Sequence, residues 1–413
     1  MTALPPARSA GKAAPGPLRS WLGVVALGLG VFAFTTSEMV PIGLLTTMGA
    51  DLGVSEGSTG LAVTLYGVVA GVFAPVLTAT TRRLDRRTLL LAVLAVFVIG
   101  NAVTALSTSY PLMLGSRFLT GFAHGVMWSI AASIAVRLVP PKASVRAIAV
   151  VFSGISVASV VGVPFGTLLG DAAGWRTVFW VISGLGVATA MATATLLSRM
   201  EPAGVVVLRD LPALLRGTPA LRIAVLVTAV MVTGHFAAYT YVTPFLEQVT
   251  GIEPAWIGGL LLLYGAAGVL GNFLSGVAAA RALPGTIIVC ALGLGVSIAL
   301  MIVAGNLTVP AIVLLLTWGL FYTALPVALQ TLVFSSASDT PEAATSLFVM
   351  AFNVSIALGA AIGGLTIDAS GPTATMLVGA VLALTAAGVM AAGRRASSTT
   401  SSSVDGAPNL DGR

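Results

Sequence analysis

Twelve apolar runs, each close to the ~20 residues that a helix needs to cross the hydrocarbon core of a bilayer, limit what this chain can fold into. They fall at residues 21–44, 58–80, 88–107, 111–136, 147–170, 177–198, 223–244, 256–278, 285–304, 310–335, 343–366 and 373–393. Backbone inside hydrocarbon must satisfy its own N–H and C=O groups, which a helix does within one segment. Apolar residues make up 57% of the chain, charged residues 8%, and the mean hydropathy is +1.02. A soluble protein of this composition would expose large apolar patches to water. The expected fold class is an all-α membrane protein of twelve transmembrane helices.

Placing both termini in the cytoplasm puts eighteen of the twenty lysines and arginines on that side. They lie in the N-terminal tail, in the loops after segments 2, 4, 6 and 8, and in the C-terminal tail. Arg117 sits within segment 4, and Arg176 alone falls in an outer loop. This is the positive-inside pattern. It predicts a multi-pass protein of the cell membrane (inner or plasma) with both termini cytoplasmic. The net charge of +6 is spread through short loops that meet anionic headgroups, so it does not point to nucleic acid. Residues 1–19 and 394–413 read as disordered cytoplasmic tails. The first apolar run is too long for the h-region of a signal peptide, so it is expected to remain as a helix. Cys290 is the single cysteine, which excludes an intrachain disulfide and a thiol-cluster metal site. Neither lysine, Lys12 nor Lys142, follows a glycine-rich loop, so no phosphate cradle is present. No cofactor is expected. The energy source is an ion gradient or another chain.

The two halves repeat at an offset of 197–198 residues. Leu65-Tyr66-Gly67 recurs as Leu263-Tyr264-Gly265, Glu56 as Glu253, and Gly162, Gly166 and Asp171 as Gly359, Gly363 and Asp368. The expected organisation is a six-helix bundle over 20–198, a cytoplasmic linker over 199–222 and a second six-helix bundle over 223–393. Duplicated bundles of this kind rock about a central site.

Ionisable side chains within a bilayer cost roughly 2.5–3.5 kcal/mol at a helix centre, so each needs a reason. Four lie well inside the segments: Glu38, Arg117, His124 and His235. Glu38 and Arg117 both lie about six residues from the outer ends of their segments, some 9 Å deep at ~1.5 Å per residue, so pairing is open to them. A permanent tie between helices and a switchable, protonatable carboxylate are both compatible with that placement. Arg117, Gly121, His124, Gly125 and Trp128 form one stripe of a helix. His124 is either titratable there or bonded to a backbone carbonyl. His235 stands 197 residues after Glu38 and is a candidate for the same cavity, as ligand contact or proton relay. Gly154, Gly162, Gly166 and Gly170 are spaced by multiples of four, and Pro164 interrupts the hydrogen-bond ladder among them.

Several local patterns together carry a family resemblance. They are Thr36-Ser37-Glu38, Gly43-Leu44-Leu45, Ala50-Asp51-Leu52-Gly53-Val54-Ser55 and Arg117-Phe118-Leu119-Thr120-Gly121-Phe122-Ala123-His124-Gly125. Further on come Gly162-Val163-Pro164-Phe165-Gly166, Gly174-Trp175-Arg176, Phe179-Trp180, Trp318-Gly319, Leu329-Gln330-Thr331 and Phe352-Asn353. Over about residues 20–393 the chain resembles the major facilitator superfamily. Within it, the chain is similar to the twelve-helix drug:proton antiporters of the arabinose-efflux-permease-like and chloramphenicol-resistance-like branch. The resemblance implies the major facilitator fold, and a proton-coupling role for Arg117 and Gly121. It implies an export-linked conformational motif at Gly162, Pro164, Gly166 and Gly170. Val163 and Thr167-Leu168 depart from the glycines usual there. In the loop after segment 2, Arg86 and Arg87 match the usual basic pair, while Arg82 and Asp85 stand where Asp and Gly are usual.

By the same resemblance, segments 1, 4, 7 and 10 line a central cavity. Its candidate contacts are Trp128, Phe236, Tyr239, Trp318, Phe321, Tyr322 and Gln330, with Asn353 from segment 11. Aromatic walls with few fixed charges suit a moderately apolar organic molecule. The expected activity is proton-coupled efflux of a small organic compound (drug, antibiotic or metabolite) by a monomer in the lipid bilayer. Sugar or nucleoside efflux or uptake on the same fold is the alternative. A polytopic membrane enzyme would need a nucleophile–base pair or metal cluster that the chain does not offer.

Overall fold

The computed structural model describes residues 16–80, 84–200, 211–336 and 341–404. Among the described residues every regular element is helical, and nine helices are long and apolar enough to cross a membrane. Helix α1 (Pro17–Gly43) opens on a proline, where the missing N–H is harmless, and carries a second proline, Pro41, near its end. The chain turns at Leu44 and resumes as α2 (Leu45–Leu52), which Gly53 ends in the left-handed conformation, φ 66°. Next come α3 (Glu56–Thr80), α4 (Arg86–Leu106) and α5 (Tyr110–Leu138). The fifth sequence segment is α6 (Ser144–Val157), a π turn (Ala158–Gly162) and α7 (Val163–Ala173). The π turn lies just ahead of Pro164, where the ladder loses a donor. Helix α8 (Trp175–Leu196) closes the first half.

The second half begins with a short helix, α9 (Leu211–Gly217), inside the stretch read as a linker. It continues as α10 (Pro219–Tyr239), α11 (Val242–Gln248), α12 (Pro254–Ala304), α13 (Thr308–Ser336), α14 (Pro341–Ser370) and α15 (Pro372–Val404). Helix α12 runs 51 residues but breaks at Ala282, φ −152° and ψ 71°, so its two arms are segments 8 and 9. Helix α15 continues ten residues past Arg394 into the stretch read as a tail. Residues 394–404 contain neither glycine nor proline to stop it.

Two apolar cores result. One joins α1, α4, α5, α6 and α8, the other α10 to α15. They meet along two seams, α3 against α14 and α7 against α12. The duplication is visible in contacts as well as in sequence. Gly162 and Gly166 lie against Thr36 and Val40 of α1, and Gly359 and Gly363 lie against Thr233 and Ala237 of α10, all at offset 197. Gly121 lies against Tyr66, and Gly319 against Tyr264, at offset 198. Side chains larger than hydrogen do not fit at these positions, so the glycines set how closely the helices approach. In the first half the row extends along α1, with Gly154 on Gly28 and Phe32, and Gly170 on Leu44.

Hydrogen bonds between the halves gather at the end opposite the chain termini. Thr46 Oγ1 donates to Glu247 (2.8 Å), Gln248 Nε2 to Glu56 (2.7 Å), and Thr243 Oγ1 to the Ile42 carbonyl (3.1 Å). Asp368 accepts from Ser55 Oγ (2.7 Å) and the Gly57 N–H (3.0 Å). The same end carries a clasp within the first half, where Asp51 accepts from Arg176 and from Trp175 Nε1. That end is shut.

At the terminal end, Asp85 caps α4 by accepting from Thr88 N–H (2.8 Å) and Oγ1 (2.9 Å), and it accepts from Met200 N–H (2.6 Å) beyond α8. Arg86 N–H donates to the Met200 carbonyl, and Arg87 donates to the Ala194 carbonyl. The three residues fasten the start of α4 to the end of α8. Arg82, the fourth member of that loop motif, lies outside the described residues. Burial alone would raise the Asp85 carboxyl, but the bonds from Thr88 and Met200 and the charge of Arg199 hold it below the usual aspartate range. Its stabilisation is therefore present above the ordinary aspartate pKa and is lost as pH falls through the lowered folded value. Asp85→Ala is expected to destabilise the protein by about 1–2 kcal/mol, the scale of one helix cap. Thermal unfolding in detergent at neutral pH would register the loss, and the difference from wild type should shrink in acid.

Candidate functional site

Helix α1 brings the acid and α5 the cation, and both side chains are buried. Arg117 does not turn to Glu38. Its Nη2 donates to the Ser37 backbone carbonyl at 2.6 Å, and its Nη1 to Ser37 Oγ at 3.2 Å. The cause lies four residues further along α1. Pro41 has no N–H, so the Ser37 carbonyl has no helical donor, and the guanidinium takes its place. Ser37 Oγ in turn donates to Asn101 Oδ1 (2.7 Å), and Asn101 Nδ2 to the Phe97 carbonyl (2.9 Å). The Tyr66 ring lies 4.5 Å from the guanidinium carbon and the Phe179 ring 5.7 Å, supplying aromatic faces to the cation.

Glu38 meets His124 instead. Its Oε2 is 3.6 Å from His124 Nε2, longer than a hydrogen bond, and both that Nε2 and Glu38 Oε1 are buried without a hydrogen-bond partner among the described residues. On the other side of the imidazole, Nδ1 is 3.1 Å from the Tyr66 hydroxyl, which is 3.1 Å from the Phe34 carbonyl. Carboxyl, imidazole, phenol and carbonyl thus stand in a row. The row has two arrangements, of which the second gives up the Tyr66–Phe34 bond. With Tyr66 donating to Phe34, His124 carries its hydrogen on Nδ1 and presents a lone pair to a protonated Glu38. With Tyr66 donating to Nδ1, His124 presents an Nε2–H to an ionised Glu38. The first holds one proton more than the second.

The second half repeats the pattern with different chemistry. His235, Tyr322 and Tyr264 stand 197, 198 and 198 residues after Glu38, His124 and Tyr66. The His235 ring is stacked between Tyr322 (3.2 Å between centroids) and Tyr239 (5.0 Å), and Tyr239 stacks on Tyr264 (5.0 Å). Trp318 Nε1 donates to His235 Nδ1 at 3.0 Å. An indole N–H only donates, so neutral His235 carries its hydrogen on Nε2, an atom buried without a partner. A second proton would have to displace the Trp318 bond.

The structure brings Glu38, Arg117, His124 and Trp128 together in the first half, with Trp128 5.9 Å from His124. In the second it gathers His235, Phe236, Tyr239, Trp318 and Tyr322. Three expected contacts lie elsewhere. Phe321 packs on Gly293 in the second arm of α12, and Asn353 sits on the seam with α3 at Gly67 and Gly71. Gln330 is half-buried eight residues beyond Tyr322, about 12 Å along α13. Ser37, Pro41, Tyr66, Asn101 and Tyr264 are the members that sequence reasoning did not single out. The signals for them were a proline four residues after Ser37, a lone amide in an apolar helix, and the tyrosine of the repeated Leu-Tyr-Gly. No three His, Cys, Asp or Glu groups among the described residues could hold a metal ion.

If the Ser37 carbonyl is what holds Arg117, restoring a backbone donor should weaken their dependence. In a cycle of Arg117→Met and Pro41→Ala, loss of Arg117 is expected to cost about 1–2 kcal/mol less in the Pro41→Ala background. Unfolding midpoints in detergent for the four proteins would give that difference, and equal penalties would contradict the arrangement.

Residues 27–348 match the family model described as the Major Facilitator Superfamily. The fold is similar to that of a bacterial homolog of the human lysosomal transporter Spinster, in an inward-facing and occupied conformation. That match has a TM-score of 0.73 and 17% identity, covering 92% of this chain and 98% of the other. The nucleoside transporter NupG, solved as a mutant, matches with a TM-score of 0.74, 14% identity, and 90% and 99% coverage. The human organic anion transporter MFSD10 (TETRAN) matches with a TM-score of 0.66, 18% identity, and 91% and 100% coverage.

Proposed function

The chain belongs to the Major Facilitator Superfamily and is a multi-pass transporter of small molecules, and on that premise we propose that it exchanges protons for an exported organic compound. The observation that carries the reading is the Glu38–His124–Tyr66 row, whose two arrangements differ by one proton. Glu38 keeps one oxygen unpartnered in a buried position, so a proton or a ligand donor can occupy it, and the two compete. Arg117 is held by Ser37, and so it makes no direct bond to the carboxyl. Both termini are taken as cytoplasmic, which makes the shut end the outer one. Opening that gate exposes Glu38 to outside protons, and closing it returns the loaded acid to the inner side.

Substrate recognition falls to the aromatic cluster of the second half. His235 Nε2–H and the Tyr264 hydroxyl are buried donors without partners, set among ring faces. They suit a flat, moderately apolar molecule that carries a hydrogen-bond acceptor. The working unit in this proposal is one chain in the membrane of the cell.

Proteoliposomes holding the purified protein and an internal pH dye test the reading against a panel of drugs, nucleosides and organic anions. Substrate-triggered proton flux opposite to substrate flux is expected in wild type and absent in Glu38→Gln. Proton flux in the same direction as substrate would replace export with symport, and substrate flux without protons in both proteins would reduce the chain to a facilitator. Tyr66→Phe removes the phenol from the row. It is expected to slow proton-coupled transport by about tenfold, ~1.4 kcal/mol of barrier, the order of one hydrogen bond. Downhill substrate exchange at equal pH should be retained.

A further inference from the structure

Two aspartates occupy matching places at the shut end. Asp171 lies in the last turn of α7 and Asp368 in the last turn of α14, at offset 197. A carboxylate is unfavourable at the C-terminal end of its own helix, where it meets the negative end of the dipole. Asp368 finds compensation in the other half. One of its oxygens accepts from Ser55 Oγ and the other from the Gly57 N–H, at the start of α3. Ser55 also accepts from the Ser58 N–H (3.0 Å), and the Tyr110 hydroxyl donates to the Ser58 carbonyl (2.6 Å), which steadies that first turn. Gly57 has no side chain, so the carboxylate and the Gly364 carbonyl close directly on it. The negative end of α14 thus sits on the positive end of α3.

The second seam lacks every part of this arrangement. At the same offset, Ser55, Gly57, Ser58 and Tyr110 correspond to Ile252, Pro254, Ala255 and Leu307. Ile252 brings no hydroxyl and Pro254 no N–H, and the proline ring fills the place that Gly57 leaves open. Asp171 is exposed, and α12 meets the π turn and α7 through apolar contact, with Gly265 on Val160 and Gly258 on Leu168. The bonds of Glu56 and Glu247 across the halves each run to one side-chain donor, whereas Asp368 joins a carboxylate to a hydroxyl and to the backbone of a helix N-terminus. We propose that Asp368 is the latch of the shut end, so that transport requires its release from Ser55 and Gly57, while the α7–α12 seam parts without a comparable step. The halves must part here whichever compound is carried, so the latch does not depend on proton exchange.

Thr243 can report the opening. It is 2% exposed between the halves, where its Oγ1 donates to the Ile42 carbonyl. Cys290 is the single cysteine, so the full chain carrying Cys290→Ser and Thr243→Cys has one thiol, at the gate. In nanodiscs, a water-soluble maleimide reaches that thiol when the end parts, at a rate that follows the open population if reclosing is fast. In this parent, Asp368→Ala is expected to raise the rate about tenfold, and Asp368→Asn, which keeps an acceptor but not the charge, about threefold. Asp171→Ala should change it by less than about twofold, as an exposed substitution does. Ser55→Ala should raise the rate about threefold on its own and by much less beside Asp368→Ala, because its partner is then gone. General loosening of the fold would add instead. An unchanged rate in Asp368→Ala, an equal effect of Asp171→Ala, or full additivity with Ser55→Ala would each overturn the proposal. The readout uses neither substrate nor pH gradient, so a failure of proton coupling would leave it standing.

Discussion

The bond from Arg117 to the Ser37 carbonyl is the interaction on which the first half turns. A guanidinium in hydrocarbon would be prohibitive alone, and a carbonyl stripped of its helical donor would be nearly as unwelcome. Each removes the other's penalty. The pairing holds α1 against α5 at the depth where Glu38 stands. Ser37 extends the tie to Asn101 on α4, so three helices share one polar network in an otherwise apolar core. Arg117 is satisfied by a neutral carbonyl and hydroxyl, so it acts on Glu38 through its field and not through a direct bond.

Much of the fold could be read from the sequence, for a physical reason. Segment length and basic-loop placement answer to the bilayer, a solvent whose demands are the same at every point along the chain. The extension of α15 and the presence of α9 escaped notice because they lie where those demands end and local propensity decides. The candidate site was legible only by depth. Glu38 and Arg117 could be placed at the same level, but depth does not say which atom a guanidinium reaches, and Ser37 is one residue from Glu38. Phe321 and Asn353 show the same limit on α13 and α14. Helix number put them near the cavity, whereas rotation about the helix axis turned Phe321 toward Gly293 and Asn353 toward the seam with α3.

The duplicated halves keep their geometry and divide the chemistry. Where the first half places an acid, an imidazole and a phenol, the second places an imidazole and two phenols at the matching positions. Only the first set includes a carboxyl group. In the second, the Trp318 bond fixes the orientation of His235 and the stacked rings fix its plane. In the function proposed above, one half exchanges a proton and the other presents a constant surface, on the same arrangement of helices.

The π turn between α6 and α7 has a consequence for winding. Glycines repeating every four residues overrun the 3.6-residue turn of an α-helix by about 40° at each step, or about 160° from Gly154 to Gly170. An unbroken α-helix would carry Gly170 to the far side from Gly154. One surplus residue in the turn cuts that drift to about 60°. That is small enough for Gly154, Gly162 and Gly166 to lie against α1 and Gly170 against Leu44 just beyond it. The irregular turn is a phase correction, and Pro164 fixes where along the helix it is made.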